Sequence, residues 1–333
     1  MTNIERFDEI MGAVADKELN ILVGNGFSIA QNSKFENLSI LDSSGILKDP
    51  ILQKLYEYLR CHSVESLMFV IELMTELCTS LQEPAKVQLL SELELKRNEL
   101  AMKFLGTFKE LHPHDYTSVK EIIEPSRKLL LPFQHIFTTN YDLLLYWVFQ
   151  TLPDITDGFN SIGNEYVFTG MYGGAKRRLW FLHGGLHLFN QGRTKCTSDG
   201  QYLLSKIIEK MKQEGVLPML ILGGTSETKQ LQIKDSTYLN LAFQAFRTIQ
   251  GFLVVLGSSF DRNDAHVWSC IFNNSRLDSI FVGIYKPEEP RGKQTIERVQ
   301  ELVKNTRFEN SLKFFNVEEL KLWSNEQSVP KAA

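Results

Sequence analysis

Four short polar segments of the chain carry residue types that could do chemistry, and each follows an apolar run. They are Gly24-Asn25-Gly26-Phe27-Ser28, Thr139-Asn140-Tyr141-Asp142, Leu182-His183-Gly184 and Gly257-Ser258-Ser259. Glycines after a strand let the backbone approach a pyrophosphate, and a histidine in such a turn can serve as a base near pH 7. Together the segments could bind a nucleotide-like ligand and move a proton on it.

Each segment alone also has an ordinary structural interpretation. The glycine pair lacks the full dinucleotide fingerprint, because Ile29 stands where a third Gly or Ala is expected, and it lacks the Gly-Lys-Ser/Thr ending of a P-loop. Thr139 or Asn140 could cap a helix, and His183 could be a turn histidine that bonds to the backbone. The run His112-Pro113-His114 indicates an exposed loop at a helix end rather than a metal pair.

Apolar runs that alternate with helical patterns must position these segments. The runs predict strands over 21–23, 134–138, 178–182, 217–222, 252–256, 279–285 and 312–315, with helices over 141–150, 201–211, 236–248, 263–273 and 295–304. This alternation predicts an α/β fold: a Rossmann-like open, mostly parallel sheet with helices on both faces. The carboxyl ends of parallel strands share one edge, so the four polar segments should converge there.

Residues 50–128 show almost only helical spacing, between the first and second predicted strands. We therefore expect residues 1–40 and 131–325 to form the sheet domain and residues 41–130 to form a helical insertion module after the first strand. Residues 4–14 have the spacing of an opening amphipathic helix, and residues 326–333 are expected to be a flexible tail.

Composition narrows the class of protein. The 333 residues are 43% apolar and 23% charged, as in globular proteins, and the net charge of −4 provides no broad surface for nucleic acid. Four cysteines without a C-x-x-C pair predict neither a zinc knuckle nor a disulfide framework. The amino terminus lacks a signal-peptide pattern, and no run reaches 18 apolar residues, so we expect a cytoplasmic protein without a membrane segment.

Taken in order, the four segments resemble the SIR2 (sirtuin-like) superfamily of NAD-consuming enzymes, in particular its bacterial branch that includes DUF4917-type proteins. The shared pattern is a G-x-G-F-S turn, a T-N-Y-D segment, an L-H-G segment and a late G-x-S turn. The run from Asp261 to His266 also looks like the acid-rich turn that these proteins place after the last glycine motif.

This resemblance implies an NAD+ glycohydrolase that cleaves the nicotinamide–ribose bond and releases nicotinamide and ADP-ribose. NAD+ would be the substrate, and no metal is expected. The implied site has Asn140 and Asp142 beside the nicotinamide ribose and His183 as the catalytic base. The implied NAD-binding residues are Gly24, Asn25, Gly26, Phe27, Ser28, Thr139, Gly257, Ser258 and Ser259.

The resemblance has departures. The scattered cysteines cannot supply the structural zinc of deacylating sirtuins, which favours plain NAD hydrolysis. The superfamily's immune effectors deplete NAD in antiphage (abortive infection) defence, so the resemblance implies a homo-oligomer, a co-encoded regulatory or sensor protein, or both. Two alternatives remain open: a non-catalytic NAD or ADP-ribose sensor or regulatory subunit, and an NAD-dependent protein deacylase.

Overall fold

A computed structural model of the chain describes residues 4–36, 44–59, 64–80, 86–197, 202–221 and 225–324. Its strands are β1 (Ile4–Glu5), β2 (Leu19–Val23), β3 (His135–Thr138), β4 (Ile155–Thr156), β5 (Phe159–Ile162), β6 (Glu165–Phe168), β7 (Arg177–Phe181), β8 (Leu188–Phe189), β9 (Thr194–Lys195), β10 (Gly251–Leu256), β11 (Leu277–Ile284) and β12 (Lys313–Asn316).

Helices alternate with these strands. They are α1 (Phe7–Ala13), α2 (Gly26–Gln31), α3 (Pro50–Leu59), α4 (Val64–Ser80), α5 (Lys86–Leu111), α6 (Glu124–Leu130), α7 (Leu144–Gln150), α8 (Leu203–Glu214), α9 (Ser226–Asp235), α10 (Thr237–Thr248), α11 (Ala265–Phe272) and α12 (Pro290–Val303). None of the helices in the described ranges combines the length and the apolarity needed to cross a membrane.

The main sheet has eight strands in the order β1-β12-β11-β10-β2-β3-β7-β4, all paired in parallel. Every residue of β2 is buried, as expected for a central strand covered on both faces. The predicted α/β fold with an open parallel sheet is therefore confirmed. From β2 the chain proceeds to β3 and β7 on one side, whereas β10, β11 and β12 lie on the other. The strand order thus reverses at β2 and β10, where open α/β sheets form their ligand crevice.

One predicted strand of this sheet is wrong. Of the described part of 217–222, only Leu220 forms a bridge, antiparallel, to Gly184. The N–H groups of Met219 and Ile221 instead donate to the carbonyls of Leu188 and His183, at 2.7 and 2.9 Å. This segment therefore uses its backbone to cover the turn after β7 rather than to extend the sheet.

The structure also differs from the predicted elements at several short strands and at one helix. A second, antiparallel sheet, β5-β6-β9-β8, was not predicted, because its strands are only two to four residues long. Ile4 opens no helix but pairs with Phe314 at the sheet edge. Helix α9 was missed, since its apolar residues do not follow one face.

Helices α3, α4 and α5 lie between β2 and β3, where helical structure was predicted. The division into a sheet domain and an insertion module stays a prediction, and its boundary at residues 40 and 41 lies outside the described residues. The predicted tail, 326–333, also lies outside them.

Candidate functional site

Two glycine turns meet at the point where the strand order reverses. The N–H groups of Gly24 and Gly26 donate to the carbonyls of Leu256 and Gly257, both at 2.8 Å. A Cβ atom on Gly26 would lie 2.6 Å from the Cα of Gly257, which itself has φ +69°. Close backbone packing thus explains these glycines, and the two N–H groups are already used, so neither is available to a phosphate in this conformation.

We expect Gly26→Ala to destabilise the protein by about 1–3 kcal/mol, the usual cost of forcing extra atoms into a packed region. The atom that a new Cβ would meet belongs to the backbone of the opposite turn and cannot rotate away. Urea unfolding of the purified variant measures the effect.

Gly106→Ala is the matched control, because apart from its chain neighbours and the backbone of its own helix, α5, no described atom lies within 4 Å of its Cβ position. It should gain up to about 1 kcal/mol from helix propensity. Equal stability changes in the two variants would contradict the packing argument.

Asn140 follows β3 and is buried. Its backbone N–H donates to the hydroxyl of Thr138 at 3.0 Å, which orients the turn. Its side-chain Nδ2 donates to the carbonyl of Gly24 at 3.2 Å and to the hydroxyl of Ser28 at 3.0 Å. Both amide hydrogens are therefore engaged, and the group that Asn140 can offer to a ligand is its carbonyl oxygen, Oδ1.

Asp142 holds the same turn through both oxygens of its carboxylate. Its Oδ2 accepts the hydroxyl hydrogen of Ser28 at 2.6 Å, and its Oδ1 accepts the N–H of Leu144 at 2.9 Å, at the start of α7. Ser28 spends its only hydrogen on Asp142 and must accept from Asn140. In this arrangement Asp142 holds Ser28, and Ser28 in turn holds Asn140.

His112 belongs to this network, although its surroundings were predicted to be an exposed loop. That prediction is wrong for His112, which is buried. Its Nε2 accepts the N–H of Leu143 at 3.1 Å, so Nδ1 carries the hydrogen and donates to the carbonyl of Pro113 at 3.0 Å. Burial lowers the pKa of His112, against the opposing effect of the Asp142 carboxylate. The neighbours that bury the ring, Phe35 and Trp147, are distant in sequence.

His183 lies two residues beyond β7 and is also buried. The turn is anchored where the N–H of Leu182 donates to the carbonyl of Thr138 at 2.8 Å. Gly184, at φ +79°, has no room for a Cβ, because the carbonyl of Met219 occupies that space. The ring of His183 faces His266, with the two Nε2 atoms 2.9 Å apart.

Asp264 and Lys229 complete this second network. The Lys229 ammonium, nearly fully buried, pairs with Asp264 at 2.8 Å. Burial lowers the pKa of His183 to about 3 and that of His266 to about 4, so both imidazoles are neutral at pH 7. The Asp264 carboxylate acts in the opposite direction on both rings.

The ligand atoms of His183, Asp264 and His266 lie within 4.8 Å of one another, a spacing that a metal ion could use. The charges argue against that use. Lys229 already neutralises Asp264 in a buried setting, and a divalent cation would add two uncompensated charges beside a lysine. We therefore interpret the cluster of His183, Asp264 and His266 as a proton-transfer network.

The other predicted NAD-binding residues are spread around the two glycine turns. The hydroxyl of Ser258 accepts the N–H of Phe260 at 3.3 Å, and that of Ser259 donates to Asp261 at 2.6 Å. Both hydroxyls thus serve their own turn. Phe27 is fully buried beside Trp323, so its ring belongs to the core.

Two further predicted residues are held by the backbone. Asn25 donates its Nδ2 to the carbonyl of Phe35 at 3.1 Å. Thr139, half-buried, donates its N–H to the carbonyl of Val23 at 3.2 Å.

The structure therefore brings the predicted catalytic residues into two adjacent networks rather than one. Asn140 and Asp142 share the first with Ser28, and His183 belongs to the second. The N–H of Leu186 donates to the carbonyl of Tyr141 at 2.9 Å, which ties the two turns together. The sequence did not predict the partners of His183. His266 could have been chosen, because it ends the polar run after Gly257, whereas no sequence pattern pointed to Lys229.

Comparison with known proteins identifies the family. The family model "Domain of unknown function (DUF4917)" matches residues 21–323, nearly the whole chain. No curated protein matches significantly. The matched range contains both glycine turns and both polar networks, and the chain therefore belongs to the DUF4917 family.

Proposed function

We propose that this protein is an NAD+ glycohydrolase that releases nicotinamide and ADP-ribose. The observation that carries the proposal is the pair of buried networks at the carboxyl ends of neighbouring strands β3 and β7. One network presents the amide oxygen of Asn140 beside the Gly24 turn, and the other contains a neutral imidazole, His183, at the end of the strand next to β3. NAD+ is the substrate in this proposal.

The proposed reaction needs little from the protein beyond placed polar groups. Cleavage of the glycosidic bond leaves the ribose with positive charge at its anomeric carbon, and nicotinamide departs as a neutral molecule. An acceptor such as Oδ1 of Asn140 can orient a ribose hydroxyl or the attacking water, and such placement is a large part of catalysis. Water adds to the anomeric carbon, and its proton passes to His183.

The proposed regulation and biological role of the protein follow from the reaction. An enzyme that consumes NAD+ without limit would kill its own cell, so we propose control by a homo-oligomer or by a co-encoded sensor protein. We further propose that the protein acts in the cytoplasm as an NAD-depleting effector of antiphage defence. The anionic NAD+ would be held by local backbone amides other than the engaged N–H groups of Gly24 and Gly26, rather than by net charge, which is −4.

The test is to mix the purified protein with NAD+, alone and with any co-encoded partner, and to follow nicotinamide release by chromatography. Release without an acetylated peptide is expected. Tight NAD+ binding without turnover under all conditions would replace the proposal with an NAD sensor. Release that depends on an acetylated peptide would instead indicate a deacylase.

Asn140→Ala is expected to reduce nicotinamide release at least about 100-fold, because it removes the acceptor oxygen beside the reacting ribose. The loss of its two hydrogen bonds should also cost about 1–3 kcal/mol of stability. Turnover and urea unfolding are measured on the same preparation.

Asn20→Ala is the matched control. Asn20 is fully buried at the opposite end of β2, and its Nδ2 likewise donates to two acceptors, the carbonyls of Gln250 and Phe252. The two variants should lose comparable stability while only Asn140→Ala loses turnover. Equal loss of turnover in both would remove Asn140 from the site.

A further inference from the structure

We propose that His183 accepts the proton through Nδ1, and that His266 is the positioning residue that orients its ring and shares the charge it acquires. This inference rests on the proposed function, since it concerns the base of that reaction. It assigns a role to His266 and specifies which atom of His183 faces the substrate.

The geometry decides which nitrogen of His183 can react. Its Nε2 lies 2.9 Å from the Nε2 of His266, and both nitrogens belong to neutral rings. A hydrogen bond between two neutral imidazoles needs one hydrogen, supplied by one of the two Nε2 atoms. In either case the Nε2 of His183 is occupied, so a substrate proton can reach the ring only at Nδ1.

The base requires a particular tautomer. Nδ1 of His183 can accept a proton only if it carries none, so the hydrogen of that ring must lie on Nε2 and point to His266. The Nε2 of His266 is then the acceptor. The hydrogen of His266 then lies on Nδ1, a buried atom without a hydrogen-bond partner among the described residues, and Nε2 makes the hydrogen bond that orients the ring.

The charges around the pair balance the transferred proton. When a water proton binds Nδ1 of His183, the Nε2 hydrogen lies between two rings and the positive charge is shared. Asp264 stabilises that charge, and Lys229 opposes it from α9. Glu227, also on α9, favours the charged form of His266. On the protein only the N–H bond at Nδ1 of His183 forms, and the O–H bond that breaks belongs to the attacking water.

This arrangement is similar to a catalytic triad, in which one group reacts and a second, buried group orients it and stabilises the charge it gains. The carboxylate of Asp264 does not contact His183 directly. It lies within 4.8 Å of the ligand atoms of both imidazoles, and Lys229 holds it in place at 2.8 Å. Asp264 therefore acts on both rings over a short distance, while the hydrogen bond of His183 goes to His266.

The first test is the tautomer itself. Protein labelled with ¹⁵N-histidine should show, at pH 7, a His183 ring protonated on Nε2 and unprotonated on Nδ1, assigned by loss of the signal in His183→Gln. A His183 protonated on Nδ1 would overturn the inference. This readout does not depend on turnover, so it fails separately from the proposed function.

The second test separates positioning from folding. His266→Leu should lower kcat about 10–100-fold with KM changed less than about threefold, because NAD+ does not contact His266. His266→Gln, which can still accept a hydrogen bond, should restore part of the loss. Equal kcat in His266→Leu and the wild type, or no difference between Leu and Gln, would overturn the assignment.

His187→Leu controls for loss of a buried imidazole from this region. His187 is fully buried in the same turn as His183, and neither of its ring nitrogens has a partner among the described residues. It should keep its kcat. Titration with Zn²⁺ completes the set: stoichiometric binding that is lost in His266→Leu would identify a metal site and replace the proton-sharing role.

Discussion

His183→Ala is expected to lower nicotinamide release by about 10²–10⁴-fold, the range typical of removing a general base. His183 is the residue at the end of β7 that combines a neutral imidazole with a hydrogen-bonded partner, His266. Without it, the network loses the imidazole that takes the proton of the attacking water in this proposal. Steady-state turnover at pH 7.5 with saturating NAD+ measures the loss.

The fold should survive this change. The backbone of the turn is held by bonds that do not involve the ring, including the Leu182 N–H to Thr138 and the Ile221 N–H to the His183 carbonyl. His187→Leu, four residues later, removes another buried imidazole and should retain turnover. Near-normal activity in His183→Ala would show that the proposed base is wrong, whatever the stability of the variant.

The protein is expected to lose stability steeply as the pH falls below about 6.5, independently of any activity. His112, His183, His187 and His266 are all buried, and burial lowers the pKa of each ring. In the unfolded chain these rings titrate near 6.5. The unfolded state therefore binds more protons in this range, and acid favours it.

Proton linkage gives the sign and the size of this change in the free energy of unfolding. Well above pH 6.5 the rings are neutral in both states, so they do not make stability depend on pH; as the pH falls through 6.5, the unfolded rings take up protons. Below that pH each buried histidine removes about 1.4 kcal/mol per pH unit, until its folded pKa is reached. Each ring that is still neutral in the folded state at pH 5.5 contributes about 1.4 kcal/mol per pH unit to the slope there. Urea midpoints measured from pH 7.5 to 5 report this slope.

A single variant checks the origin of the acid sensitivity. His187→Leu should reduce the slope by about 1.4 kcal/mol per pH unit, because it removes one buried ring whose pKa in the folded state lies well below 6.5. A midpoint that stays constant between pH 7.5 and 5 in the wild type would contradict the buried, neutral state of these histidines. This outcome would also weaken the argument for the His183–His266 pair, which depends on neutral rings.

Much of the fold could be predicted from local patterns. The run at β2 and the run at β10 are short, apolar and bounded by glycine, and both form central strands. Helix α10 begins one residue after its predicted start. In contrast, the segment before residue 222 looks like another buried strand, yet its N–H groups bond to the turn after β7. Strand-like composition does not specify a partner, and the partner decides which sheet a segment joins.

The residues of the site could likewise be predicted from the sequence only in part. Asn140 and His183 could be chosen from sequence because each follows a predicted strand, and strand ends meet at one edge. His112 could not be chosen, because its partner Leu143 is 31 residues away. Lys229 sits on a helix that the sequence did not reveal, and it pairs with Asp264, 35 residues away.

The amino-acid sequence by itself determined the α/β class, six strands of the main sheet and the polar turns that follow them, because these depend on periodicity and on residue type over a few positions. The tertiary structure alone decided which turns pack together and how the polar residues divide into two networks. It also decided which nitrogen of His183 is occupied. Those features arise from contacts between residues far apart in the chain, which fix burial, tautomer and pKa, and no local pattern encodes them.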